Sequence, residues 1–227
     1  MTVCPVVEGE LEEEDNRMKR IILFGAPGSG KGTQSDKIER EFSYRRLSTG
    51  ELIRAEVQKK SSLGKKIEEY NTKGSLVPDE IIIEIVKNRV QTFDVDKGYI
   101  LDGFPRTLGQ IKGLTSVPAD SELAILLKVD EDIVVNRILS RLSCEKCGKI
   151  YNTVSKIPSK ENICNRCGAT LSKRNDDTED IIKKRILVYR EETLPVISYY
   201  RGKGNLHEID ASMDIEKVWR EIRELVK

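Results

Sequence analysis

The sequence predicts an α/β fold, a doubly wound parallel sheet with helices on both faces, and three observations carry that expectation. A short apolar run, Arg20 to Phe24, breaks into a glycine-rich turn and then into a helical pattern from Lys31 to Phe42. Two further runs, Gly98 to Asp102 and Leu123 to Val129, are apolar without alternation, which suits strands covered on both faces. Segments of helical periodicity separate these runs.

The first strand, turn and helix form one βα unit. Leu47 to Asn71 follows with apolar residues at helical spacing, and Gly64 reads as its break. Pro78-Asp79-Glu80 opens a strong helix through Ile81, Ile82, Ile85, Val86 and Val90, because proline in the first turn and acids near the N-terminus suit the helix dipole. After the strands at 98–102 and 123–129, a helix is expected from Asp130 to Leu142. Ser143 to Lys173 is poor in large apolar residues and rich in Lys, Ser, Asn and Gly, and it reads as an inserted mini-domain. One long helix is expected from Asp177 to Tyr200, a last strand from Leu206 to Ile209, and a terminal amphipathic helix from Asp214 to Val226 carrying Trp219.

Charge narrows the function classes. The 227 residues hold 39 Lys plus Arg against 38 Asp plus Glu, a net charge of +1. A generic nucleic-acid or polybasic membrane binder needs an excess of cations, so neither partner is expected and any cationic site must be local. The longest apolar stretches, such as Leu123 to Leu127, fall far short of the roughly 20 residues of a membrane span. Residues 1–17 carry Glu8, Glu10, Glu12, Glu13, Glu14 and Asp15 where an export signal would be basic and then apolar. They are expected to be either a disordered acidic leader without function of its own or an upstream start before Met18 that the folded domain does not need, on a cytoplasmic chain. The single histidine, His207, stands in a strand-like segment with no nucleophile motif beside it, so a Ser-His-Asp or Cys-His mechanism is not expected.

Gly25-Ala26-Pro27-Gly28-Ser29-Gly30-Lys31-Gly32-Thr33 lies between the first strand and the first helix, the context in which a P-loop pattern becomes a physical claim. Glycines let successive N–H groups point at one phosphate, the helix start adds partial positive charge, and a lysine bridges the outer phosphates. The strict pattern has Ser or Thr directly after the lysine. Gly32 stands there instead, so Thr33 need not serve a Mg²⁺ ion as that residue would.

Four of the five cysteines fall into two CxxC pairs, Cys144 with Cys147 and Cys164 with Cys167; Cys4 lies in the leader. That spacing is a strong zinc signal, and four thiolates complete a tetrahedral ion and leave no open position for catalysis. A segment of this size without a core of its own needs such a staple. Two disulfides, a nucleic-acid-binding zinc ribbon and iron in place of zinc are the alternatives.

The order GAPGSGKGTQ, Ser48-Thr49-Gly50-Glu51, Leu76-Val77-Pro78-Asp79-Glu80 and Asp102-Gly103-Phe104-Pro105-Arg106-Thr107 with Gln110 resembles the adenylate kinases, and the paired cysteines resemble the zinc-bearing lid of the long bacterial forms. The resemblance runs from about Lys19 to the C-terminus. It implies a P-loop kinase core at 18–47, 78–141 and 177–227, with an AMP-binding segment at 48–77 and a zinc lid at 142–176. It further implies transfer of a phosphoryl group from ATP-Mg to AMP, giving two ADP, by a monomer. Such a reaction is run by positioning and charge, which fits a chain with one histidine.

By this resemblance Lys31 and Arg106 hold the transferring phosphates, Arg141 acts on the donor side, and Arg54, Arg174 and Arg185 complete a cationic cage. Gly28, Ser29, Gly30, Gly32 and Thr33 hold the ATP phosphates, and Arg137, Ile150 and Tyr151 the donor adenine. Thr49, Gly50, Arg54, Ser75, Leu76 and Val77, with Gly103, Phe104, Pro105, Arg106 and Gln110, form the AMP pocket, joined by Arg174 and Arg185. The Gln110 amide offers donor and acceptor to the adenine edge. Asp102 orients Mg²⁺ through water, with Asp176 and Asp177 as second candidates. Glu51 stands where Asp is more usual, and Asn152 where His is common. The alternatives within the class are a GTP:AMP or other nucleoside monophosphate kinase; from another class, a P-loop module whose zinc ribbon binds a nucleic acid.

Overall fold

The computed structural model describes residues 18–92 and 98–227, so the acidic leader and Cys4 lie outside the described residues. The chain begins with strand β1 (Lys19–Phe24), helix α1 (Lys31–Phe42), β2 (Arg45–Ser48), α2 (Thr49–Gln58), α3 (Ser62–Lys73) and α4 (Asp79–Gln91). Then come β3 (Tyr99–Asp102), α5 (Leu108–Leu114), β4 (Ser121–Lys128), α6 (Glu131–Leu139), and the short strands β5 (Arg141–Cys144), β6 (Ile150–Asn152) and β7 (Leu171–Ser172). Helices α7 (Glu179–Val188) and α8 (Leu194–Gly202), strand β8 (Leu206–Asp210) and helix α9 (Ile215–Val226) complete it.

Five strands form a parallel sheet in the order β2-β3-β1-β4-β8, with β1 at its centre. The period of two along β1 sends Ile22 and Phe24 into a cluster with α4, α5 and α8, and Ile21 and Leu23 into a second cluster with α1 and α9. Both faces are covered, which is why the strand reads as a continuous apolar run. Each of these buried side chains contributes about 1.5–3 kcal/mol. In register, Leu23 pairs with Asp102 and Ser48 with Asp102, so the C-terminal ends of β1, β2 and β3 stand level and open onto one crevice. That edge is where ligands bind in sheets of this kind.

Several element boundaries differ from the expectation. Strand β2 interrupts the segment read as helical from Leu47: its four residues include two arginines and carry no apolar pattern of their own. The break between α2 and α3 falls at 59–61, not at Gly64. Ser61 caps α3 by accepting from the Gly64 N–H at 2.9 Å. A Cβ on Gly64 would lie 2.5 Å from the Glu56 carbonyl, so this glycine permits a close helix approach and does not end a helix. The helix expected to reach Leu142 stops at Leu139, because Arg141 starts the lid sheet β6-β5-β7. The long helix from Asp177 contains a π-helical turn, Tyr189–Thr193, between α7 and α8.

Candidate active site

The P-loop leaves the central strand where the sheet edge is level, and its geometry depends on Gly28. That residue has φ +82°, and an added Cβ would meet Ile138 Cγ1 at 2.8 Å and the Val134 carbonyl at 3.0 Å. Gly30 then turns the chain into α1 by accepting from the N–H groups of Thr33 and Gln34 at 2.9 and 3.1 Å. Lys31 Nζ lies inside the loop, donating to the carbonyls of Gly25 and Ala26 at 2.7 and 2.9 Å. Burial pushes its pKa down to about 8, with Arg106, Arg185 and Arg141 acting in the same sense and Asp102 against it.

In front of this loop lies a cleft of about 700 Å³. The structure brings Gly28 through Thr33, Arg137, Arg141, Ile150 and Tyr151 to its walls, together with Gly50, Arg54, Ser75 and Leu76 from the segment across it. Asp102, Gly103, Pro105, Arg106, Arg174 and Arg185 line its floor and hinge side. A small adjoining cavity of about 40 Å³ is lined by Thr49, Val77 and Gln110 as well as by Ser75, Leu76 and Arg106. Phe104 differs from the other DGFPR residues: it is 1% exposed, in the core, and lines neither cavity.

The cations are held in place by the fold. Arg106 Nε donates to the Gly103 carbonyl at 2.7 Å, and burial pushes its pKa down to about 10, helped by Arg185. Thr193, from the π turn, donates to the Arg106 carbonyl at 3.1 Å. Arg174 is lowered to about 9 by burial, with Arg54 and Arg141 nearby; burial likewise lowers Arg54 and Arg185. All remain charged at neutral pH. Arg54 and Arg174 have no hydrogen-bonded carboxylate partner among the described residues, and a group of converging guanidinium ions with so few counter-ions is set to receive an anion.

The two second candidates for Mg²⁺ both pair with arginines. The Asp177 side chain is buried and accepts at both oxygens from Arg141 (Nε to Oδ2, 2.8 Å), with Arg185 at 3.7 Å. Asp176 lines the cleft and pairs with Arg185 at 3.2 Å. Gln110 accepts from the Arg106 N–H at 2.7 Å and donates to Asp79 at 2.8 Å, which fixes the amide's orientation and leaves one N–H and one lone pair free. Asn152 donates to the Arg137 carbonyl and Ser140 Oγ and accepts from the N–H groups of Val154 and Ser155, so it fastens the lid turn to the end of α6.

The four lid thiols converge to within 4.8 Å of one another. Cys144 and Cys167 Sγ are 3.4 Å apart and Cys147 and Cys164 Sγ 3.6 Å, too far for disulfides and close to the spacing of sulfurs around one tetrahedral zinc. The two knuckles share one backbone pattern: Gly148 N donates to Cys144 O and Gly168 N to Cys164 O. The donor set and its spacing fit a structural ion.

A P-loop facing a second cavity across a cage of arginines is a site for two phosphorylated ligands, and comparison with known proteins decides whose. The family model described as adenylate kinase matches residues 23–205. The chain belongs to the adenylate kinase family. It is 43% identical to an adenylate kinase of Archaeoglobus fulgidus over 91% of this chain and 97% of that one. The adenylate kinase of Thermosipho melanesiensis is 40% identical over 91% and 99%, and that of Caldicellulosiruptor saccharolyticus 42% over 89% and 96%. The chain is therefore a phosphotransferase of this family, and its parallel sheet and P-loop are those of an α/β kinase. No helix among the described residues is long and apolar enough to cross a membrane.

Sequence reasoning missed a polar network beside this adenylate kinase site. Arg46 donates to Asp36 at 2.6 Å, Glu51 at 2.7 Å and Asp102 at 3.2 Å, and Lys149 of the lid donates to Asp36 at 2.6 Å. The one signal was the pair Arg45-Arg46 directly before Ser48-Thr49-Gly50, and nothing local distinguishes the buried arginine from the exposed one.

Proposed function

We propose that ATP occupies the P-loop side of the cleft, AMP the Thr49–Gln110 side, and that the arginines between them hold the transferring phosphoryl group. The observation that carries this reading is the convergence of Lys31, Arg106, Arg141, Arg174 and Arg185 on one cleft, with Arg106 also lining the small cavity that adjoins it. An AMP phosphate oxygen attacks the terminal phosphorus of ATP, the bond from that phosphorus to its bridging oxygen breaks, and the bridging oxygen leaves on ADP. The nucleophile is already an anion near neutral pH, so no side-chain base is required.

Each arginine offers a planar fork to two phosphate oxygens, and Lys31 exchanges its loop carbonyls for the outer phosphates of the donor. Asp102 would hold Mg²⁺ through water, and the ion would supply neutralisation of the donor's phosphate charge. The donor base lies between Arg137 and the lid residues Ile150 and Tyr151. Gln110 reads the acceptor adenine through its free N–H and lone pair.

The lid, 142–176, is stapled by zinc on its four cysteines, while 48–77 closes over AMP; together they exclude water from the transfer. One chain supplies both the P-loop and the segment across the cleft, which supports a monomer, and four described thiols placed for a metal suit the cytoplasm. Near-neutral net charge supports the absence of a nucleic-acid partner. A coupled assay across donor and acceptor nucleotides, with titration of a dinucleotide bisubstrate mimic, tests the reading. The expected result is a preference for ATP with AMP and tight binding of the mimic. Equal rates with GTP would make it a GTP:AMP kinase, and indifference to the mimic would remove the two-site arrangement.

A further inference from the structure

Beside the phosphate site, one guanidinium serves three carboxylates. Arg46 is half-buried, its side chain 13% exposed; Nη1 donates to Asp36 and Nη2 to both Glu51 and Asp102. Its Nε is buried without a partner, so it is the ion pairs that hold the side chain. The glycine that departs from the strict P-loop pattern makes room for this arrangement. A Cβ on Gly32 would lie 3.2 Å from Arg46 Nη2 and 3.6 Å from Asp102 Oδ2, so a larger side chain there would crowd the pair.

We propose that Arg46 is a positioning residue for phosphoryl transfer: it holds one oxygen of Asp102 so that the other faces the cleft, and it does so most firmly when the lid is docked. This rests on the reading of Asp102 as the carboxylate that orients Mg²⁺. The coupling to the lid runs through Asp36, whose second oxygen accepts from Lys149 while the first accepts from Arg46. With Lys149 in place Asp36 is shared, and Arg46 is free to lean on Asp102. With the lid away, Asp36 has Arg46 as its remaining ion-pair partner and draws it off. A cation at one oxygen also opposes a divalent cation near the same carboxylate, so Arg46 limits metal affinity while fixing geometry.

The test measures ATP binding by calorimetry with Mg²⁺ and with a chelator, alongside steady-state kinetics, for the parent, Arg46→Gln, Arg46→Lys and Lys149→Met. In Arg46→Gln the gain in ATP affinity on adding Mg²⁺ is expected to rise about fivefold because the competing cation is gone. At the same time kcat is expected to fall about tenfold or more because the carboxylate is no longer fixed, with AMP affinity within about twofold of the parent. Arg46→Lys keeps the charge without the fork and recovers part of both changes; Lys149→Met shifts both in the same directions by less.

An Arg46→Gln protein with unchanged kcat, an unchanged or smaller Mg²⁺ gain, or an equal loss of AMP affinity overturns the proposal. So does one too unstable to assay when Arg46→Lys, folded, behaves as the parent. Asp102→Asn is the control. If it leaves the Mg²⁺ gain intact, the reading of Asp102 itself fails; if it abolishes the gain while Arg46→Gln changes nothing, only the role of Arg46 does.

Discussion

The two segments that flank the cleft are held by opposite means. In the segment across from the P-loop, Ile67 and Val77 are buried, and Leu52, Ile53, Val57, Leu63 and Tyr70 pack against the same apolar cluster that contains Ile22, Leu47 and Leu101 of the sheet. The lid has a separate cluster, Leu142, Cys144, Tyr151, Cys164 and Leu171, with Cys147, Cys167 and Ala169 against it. It meets the body through polar groups, Lys149 on Asp36 and Asn152 on the end of α6, while Arg141 and Asp177 pair at its base. Apolar burial scales with the area that one core can cover, and a lid of this size covers too little. One segment therefore borrows the body's core, while the other is built round four converging thiols and joined by contacts that water can replace.

The strongest way to break this contrast is to remove the metal proposed for those thiols. Structural zinc contributes on the order of 10 kcal/mol to small metal-dependent folds. A chelator, or Cys144→Ser, is therefore expected to abolish hydrogen-exchange protection across residues 141–173 and leave that of 62–73 intact. Loss of protection in both would show one cooperative unit.

A smaller effect separates the two apolar clusters. Ile67→Ala is expected to lower global stability by about 2–5 kcal/mol in a denaturant titration, since the cavity opens in the shared core. Leu171→Ala should lower local lid protection and move the global midpoint far less. Equal midpoint shifts would sink the distinction.

Smaller again is Asn152→Ala, which removes the fastening of the lid turn to α6. A loss of about 1–2 kcal/mol is expected there, read as a rise of roughly fivefold to thirtyfold in the KM for ATP with that for AMP unchanged.

The least effect is the pH dependence of the lid contact. Burial pushes Lys156 down to about 8, with Lys149, Arg40 and Arg46 adding to the shift and Asp36 opposing it. An unfolded lysine keeps its proton to about 10.4. Between these limits the unfolded chain binds more protons, so the stability of the ligand-free protein should rise with pH from about 8 to 10. About 1 kcal/mol is expected after allowance for solvent; in Lys156→Gln that slope should flatten.

Motif and periodicity went far where chemistry is contiguous in the chain. The span Lys31 to Phe42 is helix α1 to the residue, the P-loop sits where its pattern requires, and two CxxC pairs meet at one point. The relation of Arg46 to Asp102, Asp36 and Lys149 was not legible, because it arises from strand register and from a lid returning over α1. Strand β2 was missed for a related reason. Its place at the sheet edge comes from pairing with β3, and Arg45 and Arg46 say nothing of that locally.

The π turn between α7 and α8 has a consequence for how this sequence tolerates change. Upstream, Arg185 and Tyr189 line the cleft; downstream, Val196, Ile197 and Tyr200 enter the sheet-side core. The wide turn carries one residue more than an α-helix would use, and it reconciles two faces that would otherwise be out of phase. Glu191 and Glu192, exposed within it, should accept almost any replacement. Deleting either one would remove the extra residue and let the turn close as ordinary α-helix, with Arg185 still on the cleft and Tyr200 still in the core. Within this turn the chain should tolerate the loss of one residue as well as a change of identity.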